Sequence, residues 1–285
     1  MRLFLILIFT IALSAKVTIL DKVDLSRYNF KGFNFSEISD LAYDKKDKIL
    51  YMVSDKGTLF SFKAYFDNKI HLQPLSATYL KTKKGKRLRR WKRDSEGMTL
   101  VGKKLFISFE GKPKILQISK KSGRKIKEIK LPKSLKKAKQ RKRNKGLEAL
   151  AYHSSYGFLT AFEYAPKGRD KCNQIIYSTG AKVWNVKLEP FKNCAITALE
   201  VMDRDNILIL ERAYSGIFNP FVVTLKKYNL KDKKSKVLMQ LNSSNGDDVD
   251  NFEGLAKVAK DLYLMVSDDN NNPFANSTLL LLEIK

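Results

Sequence analysis

The sequence predicts an all-β chain wound as a β-propeller. Three observations carry this: one strand pattern returns five times, its spacing suits a propeller blade, and helical periodicity is missing. The copies begin at Ile38, Asp94, Lys145, Cys194 and Asp250. Each is a short apolar strand, a polar turn, a second apolar strand and an acid. The anchor positions Ser39, Glu96, Glu148, Thr197 and Glu253 lie 49 to 57 residues apart, the length of a four-stranded blade. The acids Asp55, Glu110, Glu163, Glu211 and Asp268 follow their anchors by 14 to 16 residues.

Alternating stretches supply the outer strands: Ile115 to Ile118, Lys125 to Ile129, Val222 to Tyr228 and Lys236 to Leu241. After the last acid only one good strand remains, Thr278 to Ile284, while an orphan strand, Val17 to Val23, stands near the other end. Pairing these two within the last blade leaves neither as an exposed edge. Five blades result; a sixth of degenerate sequence stays open, and a solenoid or sandwich is the competing architecture. The Lys-rich stretch from Ser134 to Lys145 has too few apolar residues to bury a helical face.

Residues 1–15 read as a signal peptide. One charge, Arg2, precedes an apolar run from Leu3 to Leu13 that ends at Ser14 and Ala15, about half the length needed to span a bilayer. The propeller then occupies residues 16–285, and the protein is expected to be exported, either periplasmic or secreted, with no later transmembrane segment. An uncleaved N-terminal anchor is the alternative. Cys172 and Cys194 form either one bridge, favoured by export, or two buried thiols.

Lys and Arg number 55 against 29 Asp and Glu, a formal charge of +26. Such a balance points to an anionic partner, be it nucleic acid, an acidic membrane or a small phosphorylated substrate, although a general lysine bias explains part of it. Trp91 and Trp184 stand alone and the aromatics alternate with strand positions, which suits a core better than base-stacking platforms. Nucleic acid is therefore not the expected partner. The two histidines, His71 and His153, lie away from the repeated acids and no nucleophile elbow or phosphate-binding glycine loop occurs, which removes a Ser-His-Asp hydrolase and P-loop chemistry.

In a blade the start of the inner strand and the end of the second lie on one face of the disc. The repeat thus gathers Asp55, Glu96, Glu110, Glu148, Glu163, Glu211, Glu253 and Asp268 at one mouth, where like charges demand cations. Oxygen ligands without Cys or His clusters favour Ca²⁺. Glu96, Glu148, Glu253, Asp55, Glu110, Glu163 and Asn270 are the candidate metal ligands. Each acid taken singly also fits a turn cap. The basic runs from Lys81 to Arg93 and from Lys133 to Lys145 lead into anchor strands on the same face, and Arg93, Lys112 and Arg169 are the candidate substrate-binding residues. The acid ring should keep a long polyanion off that face, leaving an anionic small molecule as the expected substrate.

The stretches DSEGM, KGLEALAY, ILILERAY and NFEGLA followed by LMVSDDNNN resemble the phytase-like family, the esterase-like activity of phytase, found in exported bacterial proteins. The resemblance runs from about Ile38 to the C-terminus and implies a propeller with phosphate-ester hydrolysis. Glu96, Glu148, Glu211, Arg212, Glu253, Asp268 and Asn270 match its motif residues, and Glu211, Arg212 and Asp268 are taken as catalytic candidates. Ser39-Asp40 departs from the acid-Gly pattern in the first repeat. A weaker likeness, on FEGL alone, reaches calcium-activated nucleotidases, five-bladed propellers with a nucleotide substrate. The reading is a calcium-dependent phosphoesterase; the alternative is a non-catalytic, calcium-stabilised propeller that binds an anionic polymer or a partner protein.

Overall fold

Strands such as Ile49–Ser54 and Leu262–Ser267 are apolar on both faces, so each needs cover from both sides. The computed structural model, which describes residues 16–142, 145–216, 218–270 and 277–285, meets that need with five four-stranded antiparallel sheets in a ring. The signal segment expected over residues 1–15 lies outside the described residues.

β1 (Val17–Asp24) comes first in the chain and is used last. Blade 1 holds β2 (Ile38–Asp44), β3 (Ile49–Ser54), β4 (Thr58–Phe66) and β5 (Ile70–Tyr79). Blade 2 holds β6 (Ser95–Val101), β7 (Lys104–Phe109), β8 (Lys114–Ile118) and β9 (Lys125–Ile129). A five-residue helix, α1 (Lys133–Lys137), interrupts the Lys-rich connection where the sequence promised no helix; Leu135 alone is buried in it, enough to pin one turn. Blade 3 follows with β10 (Leu147–His153), β11 (Gly157–Phe162), β12 (Asn173–Ser178) and β13 (Val183–Lys187). Blade 4 comprises β14 (Cys194–Val201), β15 (Asn206–Ala213), β16 (Val222–Asn229) and β17 (Ser235–Asn242).

Blade 5 closes the ring. Its order is β18 (Phe252–Lys257), β19 (Leu262–Ser267), β20 (Thr278–Ile284) and then β1, paired antiparallel from Val17 opposite Ile284 to Asp24 opposite Thr278. The expected end-to-end closure is thereby realised.

Each junction between neighbouring blades carries its own apolar cluster. Leu41, Met52 and Phe60 of blade 1 meet Leu264 and Val266 of blade 5, while Val53 and Leu59 meet Ile107 and Phe109 of blade 2. Phe106 and Ile115 face Leu150 and Phe158, Leu159 and Ile176 face Ile196 and Ile209, and Leu210 and Val223 face Leu255 and Met265. A fully buried side chain of this size contributes about 1.5–3 kcal/mol. The ring of such seams makes the disc rigid enough to hold charged groups at its axis.

Cys172 and Cys194 form a disulfide with Cα atoms 5.7 Å apart, tying the connection after β11 to the first residue of β14. The bridge fits export to an oxidising compartment. No described helix is long and apolar enough to cross a membrane.

Candidate metal and active site at the mouth of the ring

The inner strands β2, β6, β10, β14 and β18 pack against one another around the axis. A bulge in each of them aims the anchor. Pairing with the second strand slips between Ile38 and Asp40, Ser95 and Met98, Leu147 and Ala149, Ile196 and Ala198, and Phe252 and Gly254. The residues left over are Ser39, Glu96 with Gly97, Glu148, Thr197 and Glu253. A bulged residue has no cross-strand partner and leaves the pleat, so these side chains escape the interblade core. Close approach of inner strands explains the glycine after two anchors: a Cβ on Gly97 would stand 2.4 Å from the Leu150 amide nitrogen, and one on Gly254 2.8 Å from Asp40 Cα.

The residues paired just before the bulges are Ser54, Phe109, Phe162, Glu211 and Ser267. One position further stand Asp55, Glu110, Glu163, Arg212 and Asp268. Blade 4 therefore departs from the expected register: Arg212, and not Glu211, takes the ring position. Because strand side chains alternate, a slip of one residue sends Glu211 to the opposite face. There its carboxylate lies 2.7 Å from Lys226 Nζ and accepts the Glu189 amide at 2.8 Å. Lys226 also donates to the Lys187 carbonyl of blade 3 at 3.1 Å, so this buried pair holds the seam between blades 3 and 4.

Inside the ring Arg212 is a hub. Its guanidinium donates to Glu163 at 2.9 Å, to Asn251 Oδ1 at 2.5 Å and to Glu253. Burial opposes its charge, yet Glu253, Glu163 and Glu148 raise its pKa above the ordinary value. Lys145, at the end of the second basic run, reaches in beside it, 2.8 Å from Glu163 Oε2 and 3.2 Å from Glu110 Oε1. In the sequence Lys145 is only the last residue of the second basic run. Its one visible cue was a position three residues before an anchor, near the slots that Asp94 and Asn251 fill in blades 2 and 5. Asp94 was missed likewise.

Glu96 and Glu148 have no such partner: among the described residues no cation lies within salt-bridge reach of either. Burial first, then Glu148, Glu110, Glu253 and Asp94, push the Glu96 pKa well above the carboxylate range. Burial and then Glu163, Glu110 and Glu253 do the same to Glu148. Glu110 is pushed up to about 8 by burial, against the pull of Lys145, with Asp94 and Glu163 adding to the rise. Asp268 also rises to about 8, through burial and then Glu253. Asp55 pairs with Lys56 at 3.1 Å through one oxygen, while its other, buried oxygen has no hydrogen bond.

These groups fit a hard divalent cation. Carboxylate oxygens of Glu110, Glu148 and Glu163 lie within 4.8 Å of one another, as do those of Asp94, Glu96 and Glu110. Glu148 Oε2 is buried without a hydrogen bond or an ion pair. Carboxylates on opposite sides of an ion with 2.3–2.6 Å bonds stand about this far apart.

Next to Arg212 opens a pocket of about 480 Å³ lined by Tyr164, Tyr214, Asn251, Asp268 and Asn270 among others. Asn270 adopts the left-handed region at φ 52° and donates its amide to Asp268 Oδ1 at 2.8 Å. Arg212, Asp268 and Asn270 are thus brought together. The three residues expected to bind substrate are not. Arg169 donates to the Asn173 carbonyl and Asn185 Oδ1 in the outer strands of blade 3. Arg93 borders a separate polar hollow with Lys56 and Arg87, and Lys112 lines two clefts on blade 2.

A profile described as phytase-like, esterase-like activity of phytase, matches residues 34–271. The chain belongs to the phytase-like family. No curated protein matches it. Among solved structures it is similar to the PQQ-bound aldose sugar dehydrogenase of Streptomyces coelicolor, at 10% identity over 95% of this chain and 98% of that one with a TM-score of 0.50. A luciferin-regenerating enzyme aligns at 9% identity over 92% and 95% with a TM-score of 0.49. The Pan2 WD40 domain of Neurospora crassa aligns at 12% over 95% and 96% with a TM-score of 0.41. The first of these bears on the fold alone; membership of the phytase-like family, together with the propeller, fits a hydrolase-like protein.

Proposed function

We propose that this phytase-like protein is a calcium-dependent phosphoesterase acting on a small phosphorylated molecule at the mouth of the ring. The observation that carries the reading is the buried, unpartnered Glu148 Oε2 among Glu110, Glu163 and Glu96, beside a pocket with an arginine at its base. Glu110, Glu148 and Glu163 would hold the ion, with Glu96 and Asp94 closing the other side; Glu253, Asp55 and Asn270 stand further round the ring. When bound, calcium supplies charge stabilisation and a more acidic water.

The chain's own groups do the rest. Arg212 is held rigid by Glu163, Glu253 and Asn251, so it orients a phosphoryl group in the pocket without losing freedom on binding. Asp268 faces the same space as a proton acceptor or donor for the leaving oxygen. Tyr164 and Tyr214 line the pocket on the side of blades 3 and 4. Glu211, turned to Lys226, is reassigned from chemistry to holding the blade seam. Lys145 contacts two of the carboxylates that would take the ion; its ammonium would have to release them when they bind the ion, and would then be free to reach the substrate.

The test is initial-rate turnover of p-nitrophenyl phosphate, inositol hexakisphosphate and a nucleotide, in calcium and after chelation. Calcium-dependent release of phosphate that falls by about 100-fold in Arg212→Gln is expected. Turnover indifferent to chelation would sink the metal role. A second reading, the calcium-stabilised binding propeller, has one observation in its favour: the Arg212 guanidinium already serves three partners. A calcium-raised thermal midpoint with no turnover of any of the three esters would select it.

A further inference from the structure

Away from the axis, blade 2 carries a built cationic surface that the proposed chemistry does not use. The strap Thr82–Lys92 runs beside the β8 and β9 strands, and between them lies a cleft of about 680 Å³. A second cleft of about 970 Å³ lies between β9 and the α1 connection, and the two share Lys112 and Glu128 as a common wall. The floor of the first is apolar, with buried Leu88 and Leu116.

The strap is fixed rather than loosely laid. Leu88 donates its amide to the Leu80 carbonyl at 2.8 Å, Lys114 Nζ donates to the Lys92 carbonyl at 3.2 Å, and Gly111 approaches so closely that a Cβ would stand 2.4 Å from the Trp91 carbonyl oxygen. Trp91 is 45% exposed over this cleft, whereas the other tryptophan, Trp184, is buried and donates to the Leu230 carbonyl. An exposed indole on a fixed strap departs from the core role that the sequence suggested.

Charge is unbalanced here. Among the described residues no carboxylate pairs with Lys83, Lys84, Lys86, Lys92 or Lys112, and Glu128, the one acid lining either cleft, is 2.7 Å from Lys125. Lys114 is half-buried, and burial, partly offset by Glu128 and reinforced by Lys125 and Lys112, pulls its pKa down to about 8. A lysine in such surroundings gains when an anion arrives. None of the ring carboxylates lines either cleft, so the repulsion expected to keep a polyanion off the mouth does not reach into them as a wall.

We propose that the joined clefts of blade 2 bind an acidic oligosaccharide, its charged groups on the lysines and a sugar face on Trp91. Two joined clefts ask for a chain of several units, not a single small anion. One exposed indole suits a pyranose face; single-stranded nucleic acid uses successive aromatic platforms, and arginine is the usual bidentate phosphate reader. The proposal is independent of the phosphoesterase reading, since it uses no ring residue.

The test uses the whole protein with an oligogalacturonate hexamer, neutral cellohexaose and a dodecamer of thymidylate, in calcium and in chelator, read by titration calorimetry and by tryptophan emission. Expected are binding of the acidic hexamer alone, an emission change that vanishes in Trp91→Ala, and affinity lowered about tenfold or more in the exposed triple variant Lys83→Gln, Lys84→Gln, Lys86→Gln. The slope of log affinity against log salt should shrink by about one charge in Lys114→Gln. Phosphate-ester turnover, followed in parallel, reports on the axial site separately. No binding of the hexamer at millimolar concentration, equal or tighter binding of the dodecamer, or an affinity untouched by Trp91→Ala overturns the proposal.

Discussion

Blades 3 and 4 are neighbours with the same four-stranded plan, yet they present opposite chemistry to the axis. Blade 3 offers Glu148 on its bulge and Glu163 after its second strand; blade 4 offers Thr197 and Arg212 at the equivalent positions. Thr197 spends its hydroxyl on the Phe252 carbonyl of blade 5 at 3.2 Å, and Arg212 neutralises acids from both neighbours. One blade supplies the charge that needs a cation, and the other supplies a permanent one. A propeller can thus grade its mouth from metal-binding to anion-binding by changing two residues in one blade while leaving the seams alone.

Removing the cationic half of the contrast should have the largest effect. Arg212→Met leaves Glu163 and Glu253 buried beside Lys145 alone, and breaking a buried ion pair costs about 3–5 kcal/mol. Urea unfolding in chelator should show that loss, with part of it restored by calcium; an unchanged midpoint would mean the hub is solvated. Next in size, Cys172→Ser unties the blade 3 connection from β14 and should cost about 3 kcal/mol. The calcium response should survive that change, because the bridge touches no ring group. Loss of both stability and calcium response would show that the seam positions the site.

Glu148→Gln tests the anionic half. At a hundredfold excess over Kd, calcium should stabilise the wild type by about 2.7 kcal/mol, and magnesium by less because of its stricter octahedral demand. The variant should lose most of that gain and be no less stable than wild type in chelator, since an amide replaces an unpartnered buried carboxylate. Glu211→Gln should keep the gain. Equal calcium responses in the two variants, measured by thermal melts, would erase the distinction between ring and seam.

The smallest effect is a pH slope. Glu110 and Asp268 have ordinary values of 4.5 and 3.8 and are raised to about 8 in the folded ring. A raised folded pKa means the native state holds protons that the unfolded chain has lost, so their contribution is greatest at low pH. Metal-free stability should then fall as pH climbs from about 4 to about 8 and level off above. Calcium should invert the trend, because its ligands must ionise before they bind. Parallel pH profiles with and without calcium would contradict that coupling.

The blade count, the closing pair of strands and seven of the eight expected ring acids were legible because each blade repeats the same anchor and acid around compact apolar strands. Blade 4 was misread at one residue. Anchor-to-acid spacing varies from 14 to 16, which admits both Glu211 and Arg212, and only the bulge at Thr197 decides between them. Bulges leave no mark in hydropathy. Lys145 was hidden for a different reason: it belongs to a run of similar lysines, and only the fold shows which one turns inward. Arg169 and Lys112 were drawn in by nearness in sequence to repeated acids; in the fold Arg169 donates to Asn173 and Asn185 while Lys112 lines the clefts of blade 2.

The pairing of β1 with β20 also sets an order of assembly. β1 has no partner until Thr278–Ile284 exists, so before that strand is in place the edges of β1 and β19 both lie open, and Leu41 and Leu264 lack the cover of Leu279 and Leu281. Contacts between residues this far apart in the chain make ring closure slow and late. Until the final strand arrives, the chain is an unfinished circle with two adhesive ends, and a truncation of those few residues would cost it both strands at once.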